Sequence, residues 1–165
     1  MAIIDAILDE LEKECQTTRR LLERVPAGQL SWRPHPKSMS LGQLALHIAE
    51  GPAALSGMAT LDVFEVPSFV QAEAGPGDNL AGKLDEGVAT ARQLLGGMSD
   101  EKLMEPFRVQ KDGVTLMEFP RIGLLRSLML NHYYHHRGQL SVYLRLLDVA
   151  VPSIYGPSAD ENPFG

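Results

Sequence analysis

Between Leu125 and Tyr143 the chain repeats apolar residues at helical spacing, and imidazoles interrupt the repeat where aliphatic side chains are expected. Leu125, Leu128, Met129, His132, His136, Gln139, Leu140 and Tyr143 share one face at about 100° per residue. His132 and His136 are one turn apart, so their rings sit side by side in the middle of the face that should be buried. Burying a polar ring costs free energy unless its nitrogens find partners. A chain with this helix must therefore supply neighbours that hide the leucines and something that collects the imidazoles.

Three further helical patterns can supply the neighbours. The first carries Ile4, Ile7, Leu8, Leu11, Cys15, Leu22 and Val25 on one stripe and stops before Pro26. The second is announced by Ser40-Leu41-Gly42-Gln43, a capping box, and continues with Leu44 and Ile48; Gly51-Pro52 should weaken or kink it soon afterwards. From Gly57 to Asp78 prolines and glycines leave no sustained period, which predicts a long connection. The third helix runs from about Leu80 to Met98, despite Gly82 and Gly87. Phe107-Arg108-Val109 and Val114-Thr115-Leu116 alternate around Asp112-Gly113, a small hairpin signal. The fourth helix begins near Pro120 and continues through Leu147. The expected fold is all-α, a four-helix bundle with a crossover after helix two and a β-hairpin before helix four.

At 165 residues, of which 44% are hydrophobic, residues 1–165 suit a single domain. The first residues lack the basic start and apolar run of a signal peptide, and no segment approaches the roughly 20 apolar residues of a membrane span. A cytoplasmic protein is expected. Cys15 is the single cysteine, so dithiol chemistry is excluded, and its place on the first stripe makes it a core residue. The net charge of −6 and the lack of a basic run argue against nucleic acid as a partner.

A divalent metal would collect the imidazoles, since zinc, nickel, copper and iron(II) all accept such ligands. A third ligand is needed. His47 lies on the edge of the second helix's apolar stripe, whereas His35 sits between Pro34 and Pro36 and reads as a loop residue. His135 lies about 60° from His132 and about 100° from His136 around the helix and is not expected to ligate. The plainer alternative is that each histidine bonds to backbone or carboxylate and no ion is held.

The run from His132 to His136 with Arg137-Gly138-Gln139-Leu140 and Tyr143-Leu144-Arg145 resembles the signature of the DinB-like (DinB/YfiT) family of metal-binding four-helix bundles. Leu30-Ser31-Trp32-Arg33-Pro34 followed by Ser40 to His47, and the closing Val151 to Pro157, extend the resemblance over most of the chain. It implies a metal triad of His47, His132 and His136, an up-down-down-up bundle and a homodimer. Some relatives are thiol-dependent transferases or isomerases, which implies a small-molecule substrate, a low-molecular-weight thiol cosubstrate and zinc or nickel. Glu50 is a candidate base or metal-site partner and Gln139 a candidate contact to ligand or substrate, although each also reads as an ordinary helix residue. Metal-dependent hydrolysis, a structural staple and a non-catalytic stress-response module are the alternatives. The pocket walls are expected from the loop after helix two and from the C-terminal tail.

Overall fold

The structure, a computed structural model, describes residues 2–68 and 70–165; Met1 and Phe69, the latter within the expected connection, lie outside them. Helix α1 (Ile3–Leu22) buries Ile4, Ile7, Leu8, Leu11, Cys15 and Leu22, as the spacing requires, with Thr18 and Leu21 completing the face. Val25 packs against the core from the turn that follows.

Helix α2 (Leu41–Ala59) starts at the capping box: Gln43 N donates to Ser40 Oγ at 3.1 Å and Ser40 N to Gln43 Oε1 at 2.9 Å. The weakening expected at Gly51-Pro52 does not end it, and α2 continues through a buried Pro52. Proline forfeits one backbone bond there, and close packing against helix α3 (Leu80–Leu95) offsets the loss. Gly87 of α3 makes that approach possible: a Cβ at this position would lie 3.3 Å from Ala53 N and 3.5 Å from Pro52 Cβ. The residue that lowers helix propensity in α3 is thus the one that lets α2 come close. Among the described elements, α2 and α3 form the most extensive helix pair. Helix α3 ends at Leu95, short of Met98, because Gly96 leaves the helical conformation and Gly97 turns the chain at φ +82°.

A short helix, α4 (Asp100–Met104), follows with Ser99 as its cap. The expected hairpin is present and longer than its signal, with strands β2 (Pro106–Lys111) and β3 (Val114–Pro120). Both turn residues have positive φ, Asp112 at 52° and Gly113 at 75°, as a two-residue hairpin demands. The long connection supplies a third strand, β1 (Val63–Glu65), parallel to β2 with Phe64 opposite Val109, so the sheet order is β1-β2-β3. The all-α expectation is corrected accordingly: the protein is mostly helical with a small three-stranded sheet.

The C-terminal helix is not uniformly α. Helix α5 (Arg121–Leu124) passes into a π-helical stretch, Leu125–Asn131, and then into helix α6 (His132–Leu146). Wider turns upstream shift the phase of α6, and its buried face runs through Tyr133, His136, Arg137, Leu140 and Leu144, while His132 and Gln139 lie half-buried at its edge. His136 therefore keeps its place on the buried face, whereas His132 lies at its edge and not in the middle, where a uniform 100° step puts it. Among the described residues, no helix is long and apolar enough to cross a membrane.

Arg121, fully buried, joins these parts. It donates to Ala59 O at 2.7 Å and to Leu61 O at the end of α2, to Lys102 O in α4 at 3.4 Å, and to Asp62 Oδ1 at 2.7 Å. Arg121→Met would leave these carbonyls without donors, and the expected loss is about 3 kcal/mol, read as a lowered denaturant midpoint. The exposed, mid-helical Gly138→Ala, with nothing within 4 Å of the added Cβ, should instead gain up to about 1 kcal/mol.

Candidate metal centre

His47 projects from α2 and His132 and His136 from α6, and the three rings meet edge to face. Their centroids lie 4.2 Å apart for His132 and His136, 4.6 Å for His47 and His136, and 5.3 Å for His47 and His132. One ring nitrogen from each histidine lies within 4.8 Å of those of the other two. His136 Nδ1 is 2.7 Å from Gln139 Oε1, one turn on. With the amide oxygen as acceptor, Nδ1 carries the proton and Nε2 turns its lone pair toward His132 Nε2, 2.8 Å away. Zinc–imidazole bonds are about 2.0–2.1 Å long, so small side-chain rotations would let these nitrogens share one ion. The three histidines could hold a divalent metal, and the donor set is wholly neutral.

The surroundings keep these rings neutral. Burial pushes His136 down from 6.5 to about 4, with the Gln139 bond opposing and the charges of its histidine neighbours adding to the shift. His47 is lowered chiefly by burial and then by His132, with the nearby Gln71 amide opposing. His132 is lowered by burial and by His135. An unfolded histidine takes its proton near 6.5, whereas these resist until the solution is more acid. Their contribution to stability is therefore complete above pH 6.5 and is lost as the pH falls toward 4.

The other candidates fall in different places. Gln139 touches His136, as described. Glu50 lines the same cavity as the triad, and its carboxylate pairs with Lys83 Nζ of α3 at 3.3 Å. His135 is exposed and is not one of the three histidines that could share an ion, although its ring lies 5.1 Å from that of His136, and His35 lies exposed in its loop. Cys15 is buried, its thiol donates to Tyr133 Oη at 3.2 Å, and burial pushes it up to about 12. Such a thiol is a packing element and not a nucleophile. Tyr143 is also packing: its hydroxyl donates to Met39 O at 3.2 Å, and its ring meets Trp32 edge-on at 5.5 Å.

The triad opens onto a cavity of about 490 Å³. Its walls come from α2, from the β1 connection and from Leu128 of the π-helical stretch. The expected contribution of the loop after helix two is there, but the expected contribution of the tail is not. The tail instead packs on α1 and α6, where Arg20 Nη2 meets Glu161 at 2.5 Å and Tyr155 meets Arg137 and Glu14. Arg137, 1% exposed, bonds Glu14 Oε2 at 2.5 Å and Glu14 O at 3.2 Å. Its part in fixing α6 to α1 was not legible, because an arginine next to an imidazole pair reads as a solvated neighbour. Phe64 was missed for a different reason: it belongs to a three-residue strand inside a stretch without period.

A model of the DinB family matches residues 4–162. The chain belongs to the DinB family. A DinB-like protein from Bacillus cereus ATCC 10987 superposes with a TM-score of 0.70 at 21% identity, covering 93% of this chain and 98% of that one. YjoA, a DinB-like protein from Bacillus subtilis, gives 0.67 at 19% identity over 94% of this chain and 98% of its own. The uncharacterized protein YrdA of Bacillus subtilis strain 168 is 26% identical over 169 residues, covering 96% of this chain and 91% of YrdA. The two structural likenesses establish a DinB-like fold, and the expected family is borne out.

Two measurements check the centre. His136→Ala should reduce bound divalent metal from one ion per chain to none in elemental analysis of untagged protein, while His35→Ala leaves the content unchanged; normal content in His136→Ala would remove the assignment. In metal-stripped protein the denaturant midpoint should fall between pH 6.5 and pH 4, and that slope should flatten when His47, His132 and His136 are all replaced by glutamine.

Proposed function

We propose that this DinB-family protein is a metal-dependent enzyme of the thiol-dependent S-transferase type, joining a low-molecular-weight thiol to a small electrophile. The observation that carries this reading is the opening of three neutral imidazoles onto one apolar cavity. A structural zinc site takes four protein ligands, whereas three histidines leave positions facing the cavity. Zinc or nickel suits this donor set. The bound ion would supply Lewis-acid charge that acidifies a thiol or a water.

The residues of the chain would do the rest. His47, His132 and His136 add no charge of their own, so they leave the positive charge undiminished for the reacting sulfur. Gln139 holds His136 in the tautomer that points Nε2 inward. The apolar walls exclude water and strengthen electrostatic attraction inside. Glu50 is the one carboxylate among the described lining residues, which makes it the acceptor for a thiol or water proton. That same position favours metal-dependent hydrolysis as the second reading. The buried Cys15 is no competitor, so the nucleophile comes from the cosubstrate.

The finer architecture belongs to the same reading. The long link carrying β1 between α2 and α3 suits an up-down-down-up order, and the family resemblance suggests a homodimer in the cytoplasm. With a charge of −6 and no basic run, the partner is a small molecule and neither nucleic acid nor membrane.

The test is turnover of a low-molecular-weight thiol with 1-chloro-2,4-dinitrobenzene, followed by absorbance, on protein of measured metal content. The rate should scale with bound metal and disappear in His136→Ala. Stoichiometric metal with ester hydrolysis but no thiol transfer would select the second reading, and stoichiometric metal with neither activity would make the ion a staple.

A further inference from the structure

We infer that the cavity beside the histidine triad takes the apolar body of an uncharged substrate, and that Gly51 sets how much of that body fits. The inference rests on the proposed enzymatic reading and adds to it the chemical class of the electrophile.

The first argument is the lining itself. Leu55, Met58, Leu61, Phe64 and Leu128 surround the approach to the triad, and no lysine or arginine is among the described lining residues. A phosphate, sulfonate or carboxylate on the part of the substrate away from the metal would lose its water and find no side-chain cation in the lining. Glu50, the lone charged lining residue, is an anion whose charge is already met by Lys83 of α3 at 3.3 Å, so it offers an anionic group no attraction. An uncharged alkyl or aryl group instead gains from each stretch of apolar surface it covers. At about 490 Å³ the cavity is within the usual size of small-molecule sites.

The second argument is local. Gly51 follows His47 by one turn of α2, so its position lies directly along the helix from the ligand. It lines the cavity, and a Cβ built there meets nothing within 4 Å. Helix geometry does not require glycine at this point, because α2 is regular α-helix through it. No neighbour presses on it either, in contrast to Gly87. The missing side chain leaves room in the cavity one helical turn from His47.

The test uses protein as purified and two probes of one ring system. Isothermal titration calorimetry compares 1-naphthalenemethanol, uncharged, with 1-naphthalenesulfonate, whose anionic group is a poor metal ligand. The neutral probe should bind at least tenfold more tightly than the sulfonate. Gly51→Leu should weaken the neutral probe at least tenfold while its thermal unfolding remains cooperative, and Ala54→Leu, a second cavity-lining substitution, provides a check should Gly51→Leu fold poorly. Equal or tighter binding of the sulfonate, no binding of either probe, or unchanged binding in both variants would overturn the inference. Metal content of the same samples is a separate readout: loss of the ion from wild-type protein would count against the metal site, whereas retained ion without discrimination between probes counts against this inference alone.

Discussion

Everything at the site depends on α2 and α6 holding a constant offset, and the buried Arg121 guanidinium is what ties the two chain segments together. It binds the carbonyls that close α2 and the carboxylate that leads into β1, and it starts the helix that becomes α6 fifteen residues before His136 reaches the cavity's edge. A guanidinium suits this place because its planar fork satisfies several acceptors at once and stays charged at any depth. A hydrophobic residue of similar volume would fill the space and leave the end of α2 without donors. Helix α2 could then slide along α6, and His47 would leave the pair before the core itself was lost.

Helix α6 is unusual in carrying polar groups on two sides. Toward the cavity it offers His132, His136 and Gln139. Toward α1 it offers Tyr133, bonded to Cys15, and Arg137, bonded to Glu14. Only Leu140 and Leu144 give it a conventional apolar contact of zero exposure. Apolar side chains tolerate rotation and sliding, whereas these bonds are met in one orientation only. Polar contacts on the α1 side thereby define the rotation at which the imidazoles face α2, a use of buried polar groups for uniqueness more than for stability.

How much of this was legible follows from the range of each signal. The α1 stripe, the Ser40 capping box, the Asp112-Gly113 turn and the cluster of His47 with His132 and His136 all rest on residues within a turn or two of one another, or on side chains with few alternatives. Strand β1 was not legible, since three residues carry too little period and their partner is some 45 positions away. The continuation of α2 through Pro52 was hidden for a similar reason: the compensation lies at Gly87, on another helix. The π-helical stretch was invisible because its leucines fit a uniform α-helix equally well. Local chemistry could be read from the chain, while features settled by distant packing could not.

The π-helical stretch also has a bearing on how such a protein can vary. A π segment in a helix is the mark left by one surplus residue, accommodated by widening turns rather than by breaking the rod. Leu125–Asn131 lies immediately before His132, so the residue count in this stretch acts as a dial for everything downstream. Closing these turns to plain α at unchanged length would turn His132, His136 and Gln139 by about 100° about the axis, together with Tyr133 and Arg137 on the other side, whereas losing the surplus residue as the turns close would leave them in place. In the first case the site would be dismantled without touching a single histidine. Lineages that keep this centre are consequently free to lose the surplus residue and the widened turns together, but not one without the other.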